Sequence, residues 1–357
     1  MSVKEQTNIE VEVSSGRDVY NAISGKKWIF VAVSIIAILI FFVANIMIGS
    51  SSMTIMDVLQ TILYPNSVSA GMHAIVWDVR LPMSLMAILA GMALGIAGAE
   101  MQTILDNPLA EPYTLGISSA AAFGAGLVIV FNFGFTGAGE YMMPINAFIF
   151  SLLSCGVIYA VAKRKTADKT VIILTGVAML FLFQSLVSLV QYMGNSQQAS
   201  SVLYWIFGSL TRATWENLAI LLVVVVGCLI LFGMNSWKLT ALKLGDTKAK
   251  TLGVNVDGLR RKVLIGVSLL TATVVSFTGT IGFVGLVGPH IARMLVGDDQ
   301  RYFLPLSALI GALLLSLSAV LCKVIIPGVT FPIGIVTSFI GVPFFMMLIL
   351  KKKGALF

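Results

Sequence analysis

Charge is what this sequence has least of. Only 11% of its 357 residues are Asp, Glu, Lys or Arg, where a soluble domain carries about 25%. Apolar residues take the space: 58% of the chain is hydrophobic. An aqueous core has no use for that much apolar surface, and a bilayer does. The chain reads as an integral membrane protein with repeated spans. Its net charge of +7 is then a topology signal and not a nucleic-acid one.

Histidine and cysteine are scarce as well. His73 and His290 are the only histidines, too few and too far apart to argue a metal site. Cys155, Cys228 and Cys322 all lie in apolar runs, none at metal-ligand spacing, and an odd number gives no disulfide framework. They read as packing residues. The phosphate-binding pattern GxxxxGK[ST] is missing: the only Gly-Lys, Gly25-Lys26, lacks both the upstream glycine and the Ser/Thr. No catalytic constellation of nucleophile and base is visible either. Energy must come from a partner, an ion gradient, or nowhere. Acids inside the apolar runs are equally rare, and Glu100 is the one obvious candidate. It reads either as a polar contact in a pathway or as a carboxylate that snorkels or is neutral. One acid with no buried basic partner is thin support for a proton relay.

What remains is long, charge-free and apolar. Residues 1–27 are polar, with four acids, and read as a disordered cytoplasmic tail ahead of a true first span in the 28–357 membrane domain. Helices are predicted near 28–48, 83–105, 113–133, 142–162, 171–193, 218–235, 303–322 and 333–350, each long enough for a core of roughly 30 Å. The segment 258–297 has cations at both ends, and Thr278–Gly282 supplies a turn, so it reads as two short passes. That makes an all-α protein of ten transmembrane helices with both termini cytoplasmic. On this topology 20 of the 23 lysines and arginines lie inside, the asymmetry the positive-inside rule demands. The exceptions, Arg80, Arg212 and Lys323, fall at the outer face. Residues 49–80, with Pro65, Trp77 and Asp78, and 194–217 form the outer loops, and Tyr204, Trp205 and Trp215 in the second suit an interfacial belt.

Helix breakers are concentrated in a few places. Arg80-Leu81-Pro82 opens the second span, Asn107–Pro112 makes a stiff turn, Gly282–His290 makes the eighth span short and broken, and Phe331–Gly334 opens the last. Short Gly/Pro-interrupted spans point to translocation paths, or to close helix packing through small residues. The one long polar island, Trp237 to Lys262, holds seven basic residues against two acids. Leu239, Leu242, Ala249 and Leu252 recur at helical spacing, Gly245 breaks the run, Asp246 can cap a short helix that Gly253 ends, and Asp257 can cap the next long one. Two short amphipathic helices at the membrane face, with apolar side chains open to a partner, are expected at about 239–254.

These motifs, taken together, resemble the FecCD-type permeases, membrane subunits of ABC importers for iron–siderophore complexes, haem and cobalamin. The resemblance rests on six ordered stretches: RLP at 80–82, GAEMQTILDNPLAEPYTLGISSAAAFGA at 98–125, WIFGSL at 205–210, LGDTKAKTLGV at 244–254, GTIGFVGLVGPHIARMLVGDDQR at 279–301 and FPIGIVTSFIGVPFF at 331–345. It implies a homodimer or close heterodimer in the cytoplasmic membrane of a prokaryote, with the path between subunits. It implies a cytoplasmic ATPase dimer that binds ATP and Mg, leaving no cofactor in this chain, and an extracytoplasmic solute-binding protein. The coupling contact would fall on Leu244, Gly245, Asp246, Ala249, Leu252 and Gly253. Docking of the binding protein would fall on Arg80 and Lys323; the second arginine of the family's RLPR is Met83 here. Path and gate would involve Glu100, Gln102, Asn107, Pro108, Lys169, Thr170, Gly285, Pro289 and His290. The leading cargo on this resemblance is a ferric siderophore, with haem or a cobamide next. A gradient-driven carrier built on Glu100 is the rival from another class.

Overall fold

The computed structural model describes residues 16–49, 53–134, 137–164, 168–326 and 328–350, and the described residues outside loops and turns are helical. In chain order the α-helices are α1 Gly16–Met47, α2 Ile55–Leu63, α3 Ala70–His73, α4 Leu81–Leu105, α5 Ile117–Phe131, α6 Met142–Arg164, α7 Lys169–Met193, α8 Ser196–Ile206, α9 Trp215–Gly233, α10 Ser236–Leu242, α11 Asp246–Thr251, α12 Val256–Thr278, α13 Val284–Val296, α14 Gln300–Val324 and α15 Ile333–Leu350. Among the described residues, seven helical stretches are long and apolar enough to cross a membrane, and three shorter apolar helices accompany them: Ile117–Phe131, Val284–Val296 and Ile333–Met347. The protein is a polytopic, all-helical membrane protein.

Helix α4 is the axis of the bundle. It is almost entirely buried, against α14, α13, α12 and α9. Its small residues let neighbouring backbones come to touching distance. A Cβ on Gly91 would lie 2.4 Å from the Gly311 carbonyl oxygen, and one on Gly95 would lie 2.2 Å from that of Ser307 on the same helix, α14. One on Gly98 would lie 1.7 Å from the carbonyl oxygen of Gly285 on α13. By contrast α1, α7 and α9 carry exposed Leu39, Ile40, Phe181, Leu182, Ile220 and Val223, the face a bilayer would cover.

Three irregular segments interlock on one flank of this core. The end of α8, the break at 279–283 and the start of α15 share backbone hydrogen bonds. Ser209 N–H donates to Thr278 O (2.7 Å), Gly334 N–H to Phe207 O (3.0 Å) and Ile333 N–H to Gly208 O (3.3 Å); the Thr280 hydroxyl bonds the Ile206 carbonyl. Broken backbone inside a bundle survives where its polar groups are satisfied this way.

The elements depart from the sequence reading at five points. Residues 1–15 lie outside the described residues, and 16–27 of the expected disordered tail are helical, continuous with α1. Pro82 sits in the first turn of α4, as expected, but the helical stretch begins earlier: a π-type turn at Ala74–Arg80 carries it on from Ala70 to Leu105. Residues 55–63 of the outer loop form α2, capped by Thr54 and Asp57 in a reciprocal box. The polar NSQQAS run is α8, where Asn195 and Gln198 make the same box. Finally, α11 starts with Asp246 inside its first turn, after Gly245, and α12 is capped by Asn255, not Asp257.

Candidate functional site

At one end of the bundle the polar island folds as the two short helices expected, α10 and α11, with Gly245 (φ 94°) between them and Gly253 (φ 82°) after them. Both glycines hold left-handed backbone that other residues adopt poorly. Inward-facing Leu239, Leu242 and Ala249 are buried in the core, whereas Leu244 is 56% and Leu252 49% exposed. The six expected coupling residues are therefore together but do different things. Ala249 and Asp246 hold the segment down, and Leu244 and Leu252 stand free for contact.

What holds it down is a network of ion pairs. Arg260 of α12, 3% exposed at its side chain, meets Asp246 at 2.7 Å, and its Nε donates to the Ile104 carbonyl at 3.0 Å. Lys169 meets Asp106 at 3.2 Å and Asp246 at 3.8 Å. Lys243 lies 3.9 Å from Asp106 and 3.8 Å from Asp298. Arg293 joins Asp298 at 2.8 Å and the Gln102 side-chain oxygen at 3.0 Å. Burial, helped by the like charge of Arg293, pulls the Lys243 ammonium below its ordinary value, against Asp298 and Asp106. Burial pushes Asp246 up, but the hydrogen bond and charge of Arg260 overcome it and hold the carboxyl below the usual range. The segment between α9 and α12 is thus tied to the ends of α4 and α13 and the starts of α7 and α12.

On the irregular flank lies an elongated, mainly apolar cavity of about 900 Å³. The α4–α5 linker (Leu109, Glu111, Tyr113), the α8 end (Phe207), the break (Phe283) and α15 (Ser338, Phe339, Met346) supply its walls. None of the expected path residues is among those lining it. Gly285 packs against Gly98 and Glu111, while Pro108 and His290 line a crevice beside Phe344 and Phe345. Pro289 is buried within α13. The Asn107 side-chain oxygen accepts the Leu109 N–H at 2.9 Å and makes the turn. Asp168 caps α7 through the Thr170 and Val171 N–H groups, placing Lys169 in the charged network.

Glu100 is fully buried, with no hydrogen-bond partner for either oxygen. It shares a helix face with Thr103, whose hydroxyl accepts from Gln300 of α14 at 2.8 Å, and with Ile104, which accepts from Arg260 of α12. Gln102 instead donates to Leu286 O of α13 at 3.3 Å. On the α4 wheel Glu100 lies opposite Gly91, Gly95 and Gly98, which meet α14 and α13, whereas Gln102 faces α13, the helix that borders the cavity. Composition marks a buried acid but not the azimuth of its helix, so sequence reasoning singled out Glu100 and passed over Glu111 and Phe283, which line the cavity.

At the opposite end Arg80 and Lys323 come together, bordering a depression of about 310 Å³ with Gly49, Val79, Gly328 and Thr330. Arg80 is 5% exposed and donates to the Ile46 and Met47 carbonyls at 2.7 and 3.1 Å. Lys323 donates to Asn45 O at 2.6 Å. Both cations cap the C-terminus of α1, where carbonyls lack helical partners. Arg212 lies elsewhere, in the 207–214 turn.

Comparison with known proteins gives this arrangement its context. Residues 37–351 match the FecCD transport family. A chain of Methanocaldococcus jannaschii named as an ABC transporter permease is 39% identical over 93% of this chain and 97% of its own. The hemin transport system permease of Yersinia pestis is 34% identical over 86% of this chain and 92% of its own. A solved inward-facing ABC transporter assigned to the metal-chelate type superposes with a TM-score of 0.79 at 30% identity, covering 91% of this chain and 99% of that one. With most of its length matched, and with relatives above 30% identity across nearly their whole chains, this protein belongs to the FecCD transport family.

Proposed function

We propose that the chain is the membrane subunit of a binding-protein-dependent importer that carries an iron chelate inward across the cytoplasmic membrane of a prokaryote. One observation carries the reading. The α10–α11 segment is wired by ion pairs to four helices of the core, and it leaves Leu244 and Leu252 exposed at the charged end. Such a segment can receive force from a partner and pass it on. The partner is a cytoplasmic ATPase dimer, since this chain has no phosphate-binding loop of its own. We count the three short apolar helices with the seven long ones as spans, which makes ten, and read the charged end as inside from the bias of its lysines and arginines. Arg80 and Lys323 give the outer end a prearranged positive pair for an acid of a solute-binding protein. The cavity is one wall of the path, and a second copy of the chain supplies the other.

A ferric siderophore is the leading cargo. Haem or a cobamide comes second, favoured by relatives named for hemin and vitamin B12 import; others are named for Fe(3+)-citrate and molybdate. Glu100 does not line the cavity and has no buried basic partner hydrogen-bonded to it, so a gradient-driven carrier built on it is the weaker reading. The test is co-purification with the ATPase encoded beside the gene. Wild type should retain the ATPase and Leu252→Glu should lose it while Tyr192→Glu, at an exposed site far from the segment, should not. Wild type that retains no ATPase would sink the reading.

A further inference from the structure

Glu111 is a buried acid that no expected site used. It sits in the α4–α5 linker, as the residue before the 3-10 turn Pro112–Leu115, and lines the large cavity. Its carboxyl lies against the start of α13, with Oε1 3.5 Å from where a Cβ on Gly285 would sit, on the side of the Phe283 and Gly285 backbone N–H groups. Those are donors at the start of α13, which has no side-chain cap from its own residues. The N-terminus of α13 is therefore capped in trans, by a carboxylate from a different segment.

The residue so clamped is unusual. Phe283 has φ 68° and ψ −25°, left-handed backbone that a phenylalanine keeps only when its surroundings over-determine it. Glu111 fixes the N–H of Phe283 itself and that of the residue two positions on. On the other side Phe283 presses on α15: a Cβ on Gly341 would lie 2.4 Å from its Cβ and Cγ. Phe283 borders the cavity on one side and a small crevice between α14 and α15 on the other. It is a wedge whose backbone one carboxylate holds. The same linker begins at Asp106, which pairs with Lys169 and Lys243 of the charged network. Four residues separate the ion pairs beneath the coupling segment from the acid that clamps the wedge.

We propose that Glu111 is a positioning residue of the transport path: by capping α13 it holds Phe283 as the constriction of the cavity, and movement of the α4–α5 linker releases it. The proposal rests on the reading of the cavity as one wall of the path. The experiment uses the permease with its ATPase in proteoliposomes and a Ser338→Cys reporter on the cavity wall, the native cysteines being buried. Labelling by a membrane-impermeant maleimide is timed from each side, with and without ATP and vanadate. With Glu111 and Phe283 intact the reporter should label from one side at a time and change sides with nucleotide. Glu111→Gln should raise labelling from the closed side by about fivefold or more, and Glu111→Asp should restore part of the block. Phe283→Ala should open the closed side with Glu111 present, and adding Glu111→Gln to it should change nothing more. Because Phe283→Ala strands no polar group, it decides the matter even if Glu111→Gln fails to assemble. Closed-side labelling unchanged in Phe283→Ala, or unchanged in an assembled Glu111→Gln, overturns the proposal while the nucleotide switch still upholds the path. A reporter that ignores nucleotide with both residues intact overturns the path reading and the proposal with it.

Discussion

Arg260 serves two partners with one guanidinium. Its Nε satisfies the Ile104 carbonyl near the end of α4, and its Nη2 reaches Asp246 in the first turn of α11. The planar fork of arginine allows both, where a lysine ammonium would have to choose. Arg260→Ala would leave a buried carbonyl unpaired and Asp246 without its nearest cation. Asp246 is over a third exposed at its side chain, so the ion-pair part is discounted for solvent. The total loss is about 2 kcal/mol, read as a lower thermal unfolding midpoint in detergent, with Arg260→Lys between the two. The pH dependence follows by sign. The folded-state carboxyl of Asp246 lies below its ordinary 3.8, so its contribution is fully present above that value and is lost as pH falls through the folded value. In Arg260→Ala that acid step should shrink, because Lys169, 3.8 Å away, is the remaining close partner. An unchanged midpoint, or an undiminished acid step, would assign the holding of α11 to apolar packing alone.

At the scale of elements the glycines of α4 decide how close α13 and α14 come. Gly98→Ala places a methyl 1.7 Å from a backbone carbonyl oxygen, and neither backbone can yield without shifting its helix. Overpacking of this kind costs about 1–3 kcal/mol or more, so Gly98→Ala should lower the unfolding midpoint and loosen the α13 side of the cavity. Gly156 on α6 has nothing within 4 Å of an added Cβ, and Gly156→Ala should fall within about 0.5 kcal/mol of wild type. Equal effects would refute the packing account. The sequence reached part of this. Charge-free length placed the long helices, and the spacing of Leu239, Leu242, Ala249 and Leu252 with Gly245 and Gly253 placed α10 and α11. Azimuth was out of reach. Periodicity has little grip on α4, which is apolar nearly all round, so nothing in its composition shows that Glu100 and Gln102 face different neighbours. Glu111 reads as one more residue of a Pro-rich turn, since its meaning comes from a backbone more than 170 residues away. Helix α8 was legible in principle from Asn195 and Gln198, but its polar run outweighed that box.

At the scale of the whole molecule, the proposed function asks one chain to supply one wall of the path. The cavity is bordered on its long side by α15, whose Phe339 is 75%, Met346 50% and Met347 64% exposed. Lipid could cover those side chains, yet lipid would then also fill a cavity that holds a buried carboxylate and the exposed ends of three broken segments. In the proposed importer a second copy related by a two-fold axis would cover the same surface with its own α15 and close the path symmetrically, as an isologous interface requires. That interface should bury on the order of 1,600 Å² in total. The expected outcome is cross-linking of Phe339→Cys to its counterpart in detergent-solubilised protein by a short bis-maleimide. Leu174→Cys, 64% exposed on α7, should not cross-link, because α7 stands on the lipid-facing side away from α15. The buried native cysteines keep the background low. A cross-link at Phe339→Cys that disappears on mixing with an excess of cysteine-free chain identifies partners that exchange as copies of one sequence. A single-chain mass with no Phe339→Cys cross-link would mean that the wall facing α15 belongs to a different permease chain, and the path would then be a heterodimer's.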